Sequence, residues 1–266
     1  MAKPPLTDAQ VTAAADLLVQ ARHGRIVISE LPDHCKPHSM VDAQHICDAV
    51  TDQLALPVVG WKVYFSYKAL ELPNRTPIYA PLVSPARIPA FRSPLRLIEP
   101  EVLFRVTADL PGRAQRYSHD EVANAMELAP AYEVIAPRYH FDSLDALYAR
   151  IKGPREFDSF ADHNASGLWV VGDYIKEWQH LDLPKMRTVM KADDRVLCDV
   201  IGGHPFLEPF LPVLAFANLM RSEGGLPKGT VIGTSSFTSF FQVEVGERIT
   251  CDFAGLGSIE ATFVDG

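Results

Sequence analysis

The sequence has little of what several protein classes require. Its 266 residues include four cysteines, Cys35, Cys47, Cys198 and Cys251, and no two of them form a CxxC pair. This scatter indicates neither a zinc site nor a disulfide framework. It favours buried thiols in the reducing cytoplasm.

Two further absences limit the partners that we expect. The formal net charge is −8 and no run of Lys or Arg occurs, so we expect neither nucleic acid nor an anionic membrane surface as a partner. No apolar run approaches the roughly 20 residues that span a bilayer, and the start, MAKPPLTDAQ, lacks an apolar signal core. These features predict a soluble, cytoplasmic protein, in which a local positive site for a small carboxylate remains compatible with the charge.

The N-terminal part of the sequence has the residue pattern of helices. Thr7 is a candidate N-cap for a helix that Gly24 would end. A second helix is predicted over 39–54, with Val41, His45 and Ile46 on its apolar stripe. We interpret residues 1–57 as a helical N-terminal region.

From residue 58 onwards, short runs rich in Val, Ile, Phe and Tyr predict strands. Two helices interrupt them. One is SHDEVANAMEL, where Ser118 and Glu121 form a capping box, and the other is PFLPVLAFANLMRSEGG. Strands and helices do not alternate strictly, so residues 58–266 are interpreted as one β-rich catalytic domain. This pattern disfavours Rossmann and TIM arrangements and favours the α+β class.

The segment LIEPEVLFRV carries two carboxylates at strand spacing. Side chains two residues apart on a strand share a face, so Glu99 and Glu101 would project together, roughly 7 Å apart. Pro100 cannot donate to a ladder, which predicts an edge strand or a bulge. A neighbouring run, AYEVIAPRY, supplies Glu133. Three carboxylates without Cys or His suit Mg²⁺ or Mn²⁺, and the alternative is a solvent-facing stripe of acids.

Six segments follow one another along the chain: GWKVYFSYKAL, IEPEVLF, PAYEVIAPR, FADHNASGLWVVG, GTVIGTSSF and GERITCDFAGLGSIEATF. Together they resemble the 2-keto-4-pentenoate hydratase / 4-oxalocrotonate decarboxylase family of the fumarylacetoacetate hydrolase superfamily. The likeness runs from Val58 to the C-terminus. It implies a mixed β-sandwich roll of the fumarylacetoacetate hydrolase C-terminal type, preceded by a helical N-terminal region.

The resemblance also implies roles for individual residues. It makes Glu99, Glu101 and Glu133 the magnesium ligands. It places Lys62 near the substrate carboxylate and the proton-transfer step. Beside a bound cation the pKa of Lys62 should fall, and the alternative is an ordinary surface lysine.

A second group of residues is implied to close over the substrate. FADHNASG matches a family segment usually written ADNAS, with one additional residue, either His163 or Asn164. Asp162 and Ser166 are the implied catalytic members of this segment, and His163, Asn164 and Ser166 are implied substrate contacts. A simple turn is the alternative for Asp162.

Two shorter predictions concern polar residues near the ends of strands. Thr234 and Ser235, in GTSSF, could offer hydroxyl and N–H groups to an anion, or form a plain strand-end turn. Arg138 and His140 follow the Glu133 strand and could either contact the substrate at the rim of the site or support the metal ligands from behind.

One departure from the family pattern affects the predicted reaction. Hydratases of this family usually carry an acid in a P-D-[FY]-G stretch, whereas this chain has Ile78 and Ala80 at the acid and glycine positions of Pro77-Ile78-Tyr79-Ala80. If that acid moves protons or positions water, plain hydration is less favoured here.

The predicted function is a metal-dependent lyase of a small 2-oxo acid. A 2-hydroxy-2,4-dienoate hydratase in the catabolism of aromatic compounds is the leading hypothesis. An oxalocrotonate-type decarboxylase is the alternative, followed by a C–C hydrolase or a tautomerase, because all of them pass through a metal-stabilised enolate. A non-catalytic acid-binding or partner subunit is a further hypothesis. We also predict a homo-oligomer, which could in addition form a complex with another enzyme of the pathway.

Overall fold

The computed structural model describes residues 4–66, 69–141, 143–152 and 156–265. The chain divides into two compact units. The helical unit comprises Met1–Pro57 and Ala136–Ser166, and the sheet unit comprises Val58–Ile135 and Gly167–Gly266. No helix in the described part of the chain is both long and apolar enough to cross a bilayer.

Helices are numbered in chain order. They are α1 Asp8–Arg22, α2 Met40–Leu54, α3 His119–Asn124, α4 Leu144–Lys152, α5 Glu156–Ala161 and α6 Phe210–Met220. Helices α1, α2, α4 and α5 lie in the helical unit, and α3 and α6 lie in the sheet unit.

The predicted start of α1 is confirmed. Thr7 accepts a hydrogen bond from the backbone N–H of Gln10, and the Gln10 side chain accepts one from the backbone of Thr7, which completes a capping box. This reciprocal pair satisfies two N–H groups that the helix itself leaves without partners.

The predicted apolar stripe of α2 is wrong at two positions. Ser39 is the N-cap, and Ile46 is buried as predicted, but Val41 and His45 are exposed. Asp42 is buried instead, because its carboxylate accepts hydrogen bonds from the backbone N–H groups of Leu6 and His38. These hydrogen bonds offset the cost of burying a carboxylate at a position where a hydrophobic count expects none.

Strands are also numbered in chain order. They are β1 Val58–Ser66, β2 Ala69–Tyr79, β3 Leu82–Val83, β4 Ala86–Pro89, β5 Leu97–Val106, β6 Leu110–Pro111, β7 Met126–Ile135, β8 Ser166–Val171, β9 Arg187–Ala192, β10 Arg195–Ile201, β11 Gly225–Leu226, β12 Val231–Gly233, β13 Phe241–Gln242, β14 Arg248–Phe253 and β15 Gly257–Val264.

The strands of the sheet unit form two larger sheets and one small one. The first runs β2-β1-β12-β5-β7-β8-β3, with β13 also pairing with β5, and the second runs β10-β9-β14-β15-β4. Strands β6 and β11 form a separate pair. Helices and mixed sheets occur together, and the predicted α+β class is confirmed.

A hydrophobic core joins the two larger sheets. Ile98, Val102 and Phe104 from β5 belong to the same buried cluster as Met190 and Phe253 from the second sheet. Alternate residues of a strand point to opposite faces. The other face of β5 is therefore left to Glu99, Glu101 and Leu103.

The capping box at Ser118 and Glu121 is confirmed, but the helix that follows is shorter than predicted. It ends at Asn124, and the predicted helical residues from Met126 onwards belong to β7. Strand β7 pairs with β5 over its whole length, from Met126 to Ile135. The ladder therefore overrides the local helical pattern.

Pro100 does not mark an edge or a bulge, so that prediction is wrong. Strand β5 lies inside its sheet, and its pairing with β7 is continuous through Pro100 and Tyr132. On its other side, β12 pairs with residues 103–105 and β13 with residues 97–98. The missing N–H of Pro100 falls in the gap between these two partners, where no ladder bond is lost.

Candidate metal centre

Three predicted metal ligands meet on one face of the first sheet. Glu99 and Glu101 project from β5, and Glu133 lies on β7 directly opposite Glu99. One carboxylate oxygen from each lies within 4.8 Å of the others. Glu101 and Glu133 are fully buried, and Glu99 is 9% exposed. The alternative of a solvent-facing acidic stripe does not match this burial.

Lys62 on β1 is the cation that faces this group. It donates a hydrogen bond to Glu133, and its Nζ lies 3.5 Å from Oε1 of Glu99 and 3.3 Å from Oε1 of Glu101. Lys62 is 6% exposed, so it is not an ordinary surface lysine. One ammonium against three carboxylates leaves the cluster with an excess of negative charge.

The titration behaviour of the cluster reflects this imbalance. Burial raises the pKa of Glu99 well above its ordinary value, and burial likewise raises the pKa of Glu101 to about 7. Burial disfavours the charge on Lys62, but the neighbouring carboxylates outweigh it and hold the pKa of Lys62 well above its usual range. The expected fall in the pKa of Lys62 refers to a site that holds a cation, and it stays a prediction.

Several oxygens of the cluster have no hydrogen-bond partner among the described residues. Both carboxylate oxygens of Glu101 and Oε1 of Glu133 are buried and accept no hydrogen bond from the described residues. Buried polar atoms without partners are costly, and three carboxylates without a nitrogen or sulfur ligand match the preference of a hard divalent cation. The residues present therefore fit a divalent metal ion.

The floor beside the cluster is apolar and close-packed. Nζ of Lys62 lies 5.9 Å from the centre of the Trp169 ring. Gly233, which pairs with Lys62 across β1 and β12, leaves room for that ring, because a Cβ there would come within 2.7 Å of it. Ile78, at the position of the family's acid, is fully buried in the same apolar cluster as Trp169.

The GTSSF turn lies beside the Glu-Pro-Glu stretch of β5. Ser236 donates a 2.8 Å hydrogen bond to the carbonyl oxygen of Pro100, and the backbone N–H of Phe237 donates to the same oxygen at 3.3 Å. Ser235 is half-buried, and its backbone φ is 133, a value that residues other than glycine rarely adopt. Backbone strain of this kind is found more often at functional sites than elsewhere.

The side chain of Thr234 contacts a buried histidine that the sequence interpretation missed. Its Oγ1 lies 3.3 Å from Nε2 of the buried His204, whose Nδ1 accepts from the backbone N–H of Phe206. Burial lowers the pKa of His204 to about 4, so the ring is neutral at pH 7. The available signal was a single histidine between two glycines and a proline, at Gly202 to Pro205.

The predicted substrate-closing segment belongs to the helical unit. Asp162 is buried, accepts a hydrogen bond from the Arg138 side chain, and accepts another from the Arg138 backbone at 2.8 Å. Arg138 also donates to the carbonyl oxygen of Ser166 at 2.8 Å. Arg138 and Asp162 therefore organise the backbone of this segment, while Ser166 is buried at its end.

His163 is also occupied within this unit. Arg22 donates to its Nδ1 at 2.8 Å, and its Nε2 lies 3.2 Å from Oγ1 of Thr51. A guanidinium only donates, so Nδ1 must accept and the proton sits on Nε2. Burial, followed by the charges of Arg22 and Arg138, lowers the pKa of His163 well below its ordinary value.

Three consecutive residues of this segment have left-handed backbone. His163, Asn164 and Ala165 have φ 52, 52 and 60, a conformation that costs about 1–2 kcal/mol for each residue with a side chain. Asn164 is half-buried, whereas its two neighbours are buried.

His140, the other residue that follows the Glu133 strand, also lies in the helical unit. Its backbone N–H donates a hydrogen bond to the carbonyl oxygen of Ile28.

No family model matches the chain. Over 168 residues it is 29% identical to a 4-oxalocrotonate decarboxylase of Pseudomonas putida, covering 63% of this chain and 60% of that protein. Over 173 residues it is 27% identical to 2-keto-4-pentenoate hydratase 2 of Dechloromonas aromatica, covering 63% of this chain and 62% of that protein. The chain thus spans about three fifths of the length of these curated relatives.

Solved structures extend the likeness to the fold. A 4-oxalocrotonate decarboxylase from Pseudomonas putida G7, complexed with magnesium and adipate, matches with a TM-score of 0.78 and 23% identity, over 98% of this chain and 100% of that one. A fumarylacetoacetate hydrolase family protein from Yersinia pestis matches with a TM-score of 0.50 and 15% identity, over 79% of this chain and 94% of that one. The predicted resemblance and the predicted roll are confirmed.

Proposed function

We propose that this chain, a homologue of 4-oxalocrotonate decarboxylases and 2-keto-4-pentenoate hydratases, is a lyase that uses Mg²⁺ or Mn²⁺ to act on a small 2-oxo acid. The observation that carries the proposal is the buried group of Glu99, Glu101 and Glu133, whose carboxylates converge and leave both oxygens of Glu101 and Oε1 of Glu133 without a hydrogen-bond partner among the described residues. A decarboxylase of the same fold binds magnesium and a dicarboxylate, which supports magnesium here.

Each residue of the centre has a distinct task in this proposal. The three glutamates would hold the ion, which when bound acts as a Lewis acid toward the negative charge that develops on the 2-oxo group. Lys62, kept charged by the carboxylates around it, would attract the substrate carboxylate and donate a hydrogen bond to it. Trp169 and Ile78 would keep water from the apolar side of the site.

The choice between water addition and decarboxylation depends on the position of the family's acid. Water addition to a dienoate needs a group that positions water or moves a proton. Ile78 can do neither, and it is buried among apolar side chains. This observation favours decarboxylation of an oxalocrotonate-type diacid as the second candidate beside hydration.

Two substrates distinguish these reactions. The purified protein with Mg²⁺ would be offered 2-hydroxypenta-2,4-dienoate and, separately, 4-oxalocrotonate, while dienol absorbance and CO₂ are followed. Loss of absorbance without CO₂ identifies a hydratase, and release of CO₂ identifies a decarboxylase. Full activity in excess EDTA, or no reaction with either substrate, would contradict the proposal.

The predicted assembly belongs to the same proposal. Light scattering on the purified protein should give a homo-oligomer, and a clean monomer would contradict this. His163, Asn164, Ser166, Thr234 and Ser235 stay predicted substrate contacts, and Asp162 and Ser166 stay predicted catalytic residues.

A further inference from the structure

Thr76 has a position in the sheet unit that none of the sequence motifs indicated. It lies on β2 directly opposite Lys62 in the antiparallel pairing of β1 and β2. Side chains directly opposite each other in such a pair share a face of the sheet, with Cβ atoms about 4.5–5.5 Å apart. Thr76 therefore faces the side that carries Lys62 and the carboxylates.

The hydroxyl group of Thr76 is buried without a partner. Thr76 is 2% exposed, and its Oγ1 makes no hydrogen bond to any described residue. A threonine on a strand can usually bond a neighbouring side chain or a backbone group, and leaving a buried hydroxyl unpaired is unfavourable. Together with its place on the face of Lys62, this leaves the hydroxyl able to bond a group outside the described residues.

The position of Thr76 along β2 relates it to the acid that this chain lacks. Ile78 stands at the acid position, and Thr76 precedes it by two residues on the same face. Ile78 lies opposite Gly60, whereas Thr76 lies opposite Lys62. Thr76 thus places a polar group one pleat, roughly 7 Å along the strand, from the position of the family's acid.

We propose that Thr76 is a substrate-binding residue of the Lys62–glutamate centre, and that its hydroxyl donates a hydrogen bond to an oxygen atom of the bound 2-oxo acid. The inference rests on the proposed function, because it needs an oxo acid beside Lys62. In this role, Thr76 favours substrates that carry an oxygen atom within reach of its hydroxyl group.

The chain offers a matched control for this test. Thr188 on β9 is also fully buried, and its Oγ1 also lacks a partner among the described residues, but it lies in the second sheet. Thr76→Val and Thr188→Val each replace a buried hydroxyl with a methyl group of similar volume. Thr76→Ser keeps the hydroxyl and removes only the methyl group.

Calorimetric titration with oxalate, a small chelating dicarboxylate, measures binding without turnover. We expect wild type to bind oxalate only with Mg²⁺, and Thr76→Val to bind about tenfold more weakly, as for the loss of one hydrogen bond. Thr188→Val should bind like wild type, and Thr76→Ser should stay within about twofold, since the donor remains.

The outcomes separate the two proposals. Equal oxalate binding by Thr76→Val and wild type would overturn the role of Thr76 and leave the proposed function intact. Failure of wild type to bind oxalate with Mg²⁺ would overturn both. Thermal unfolding without metal provides a further readout. Removing an unpaired hydroxyl should not lower the melting temperature of either valine variant, and a loss confined to Thr76→Val would show a structural role instead.

Discussion

Glu99 on β5 and Glu133 on β7 are directly opposite residues of one antiparallel pair, and both carboxylates are buried. Like charges in this relationship repel each other and destabilise a sheet. Glu101 adds a third carboxylate two residues along β5, and Lys62 supplies one ammonium group among them. A divalent cation would remove the remaining imbalance.

The first prediction concerns Glu101, one of the two fully buried glutamates. Glu101→Gln should lower kcat/KM by at least about a hundredfold, because losing a metal ligand costs no less than losing a group that supports one. The fold should be retained, since a neutral amide in a buried acidic cluster relieves repulsion. Steady-state kinetics and circular dichroism would measure both effects.

Glu127→Gln is the matched control for that substitution. Glu127 is also buried on β7, but it pairs with Arg105 rather than with Lys62. We expect this variant to keep its metal dependence. Equal losses of activity in the two variants would show that neutralising any buried glutamate of these two strands has the same effect, and would contradict the metal assignment.

The second prediction concerns stability in the presence of metal. A ligand that binds only the folded protein stabilises it by about 2.7 kcal/mol at a hundredfold excess over its Kd. For a protein of this size, such stabilisation should raise the melting temperature by at least about 5 °C. Thermal unfolding with increasing Mg²⁺ measures the shift, and an equal shift in Glu101→Gln would mean that Mg²⁺ acts elsewhere.

The third prediction concerns pH and His204. Burial lowers the pKa of His204 to about 4 in the folded protein, whereas an unfolded histidine titrates near pH 6.5. Between these values the unfolded chain binds more protons. The stability that depends on His204 is therefore complete above about pH 6.5 and is lost as the pH falls towards 4.

Urea unfolding at pH 7.5 and pH 5 tests this dependence. In the wild-type protein, His204 should account for about 2 kcal/mol of the unfolding free energy that is lost between pH 7.5 and pH 5, as linkage with its folded and unfolded pKa values requires. In His204→Asn the loss between the two pH values should be smaller by that amount. Identical pH dependence in wild type and variant would contradict the assignment.

The fourth prediction concerns Asp162 as a structural partner. Asp162→Asn leaves the charge of Arg138 buried without its carboxylate, and breaking a buried ion pair in this way costs about 3–5 kcal/mol. The double variant Asp162→Leu with Arg138→Met removes both charges and should regain part of that stability. Urea unfolding measures it. A large fall in kcat with unchanged stability in Asp162→Asn would instead support Asp162 as a catalytic residue.

The sequence predicted those parts of the molecule that depend on local chemistry. The predicted caps at Thr7 and Ser118 hydrogen-bond backbone N–H groups three residues away, and both form as helix starts. The convergence of Glu99 and Glu101 follows from the two-residue period of a strand. Both kinds of feature are set by spacing along the chain.

The remaining features depend on contacts between distant residues. The strand starting at Met126 follows from its pairing with β5, and Pro100 is accommodated by a gap between β12 and β13. Helices α4 and α5 and the strands β9 and β10 were not identified, because short elements with mixed polarity carry weak periodicity. Thr76 faces Lys62 through register alone, which no motif of β2 reveals.

Crystals of the protein grown with Mn²⁺ test the central claim most directly, because anomalous scattering locates the metal without any assumption about the reaction. The account predicts one strong peak within bonding distance of a carboxylate oxygen from each of Glu99, Glu101 and Glu133. A map with no peak at that position, or with Mn²⁺ bound only elsewhere, would contradict it.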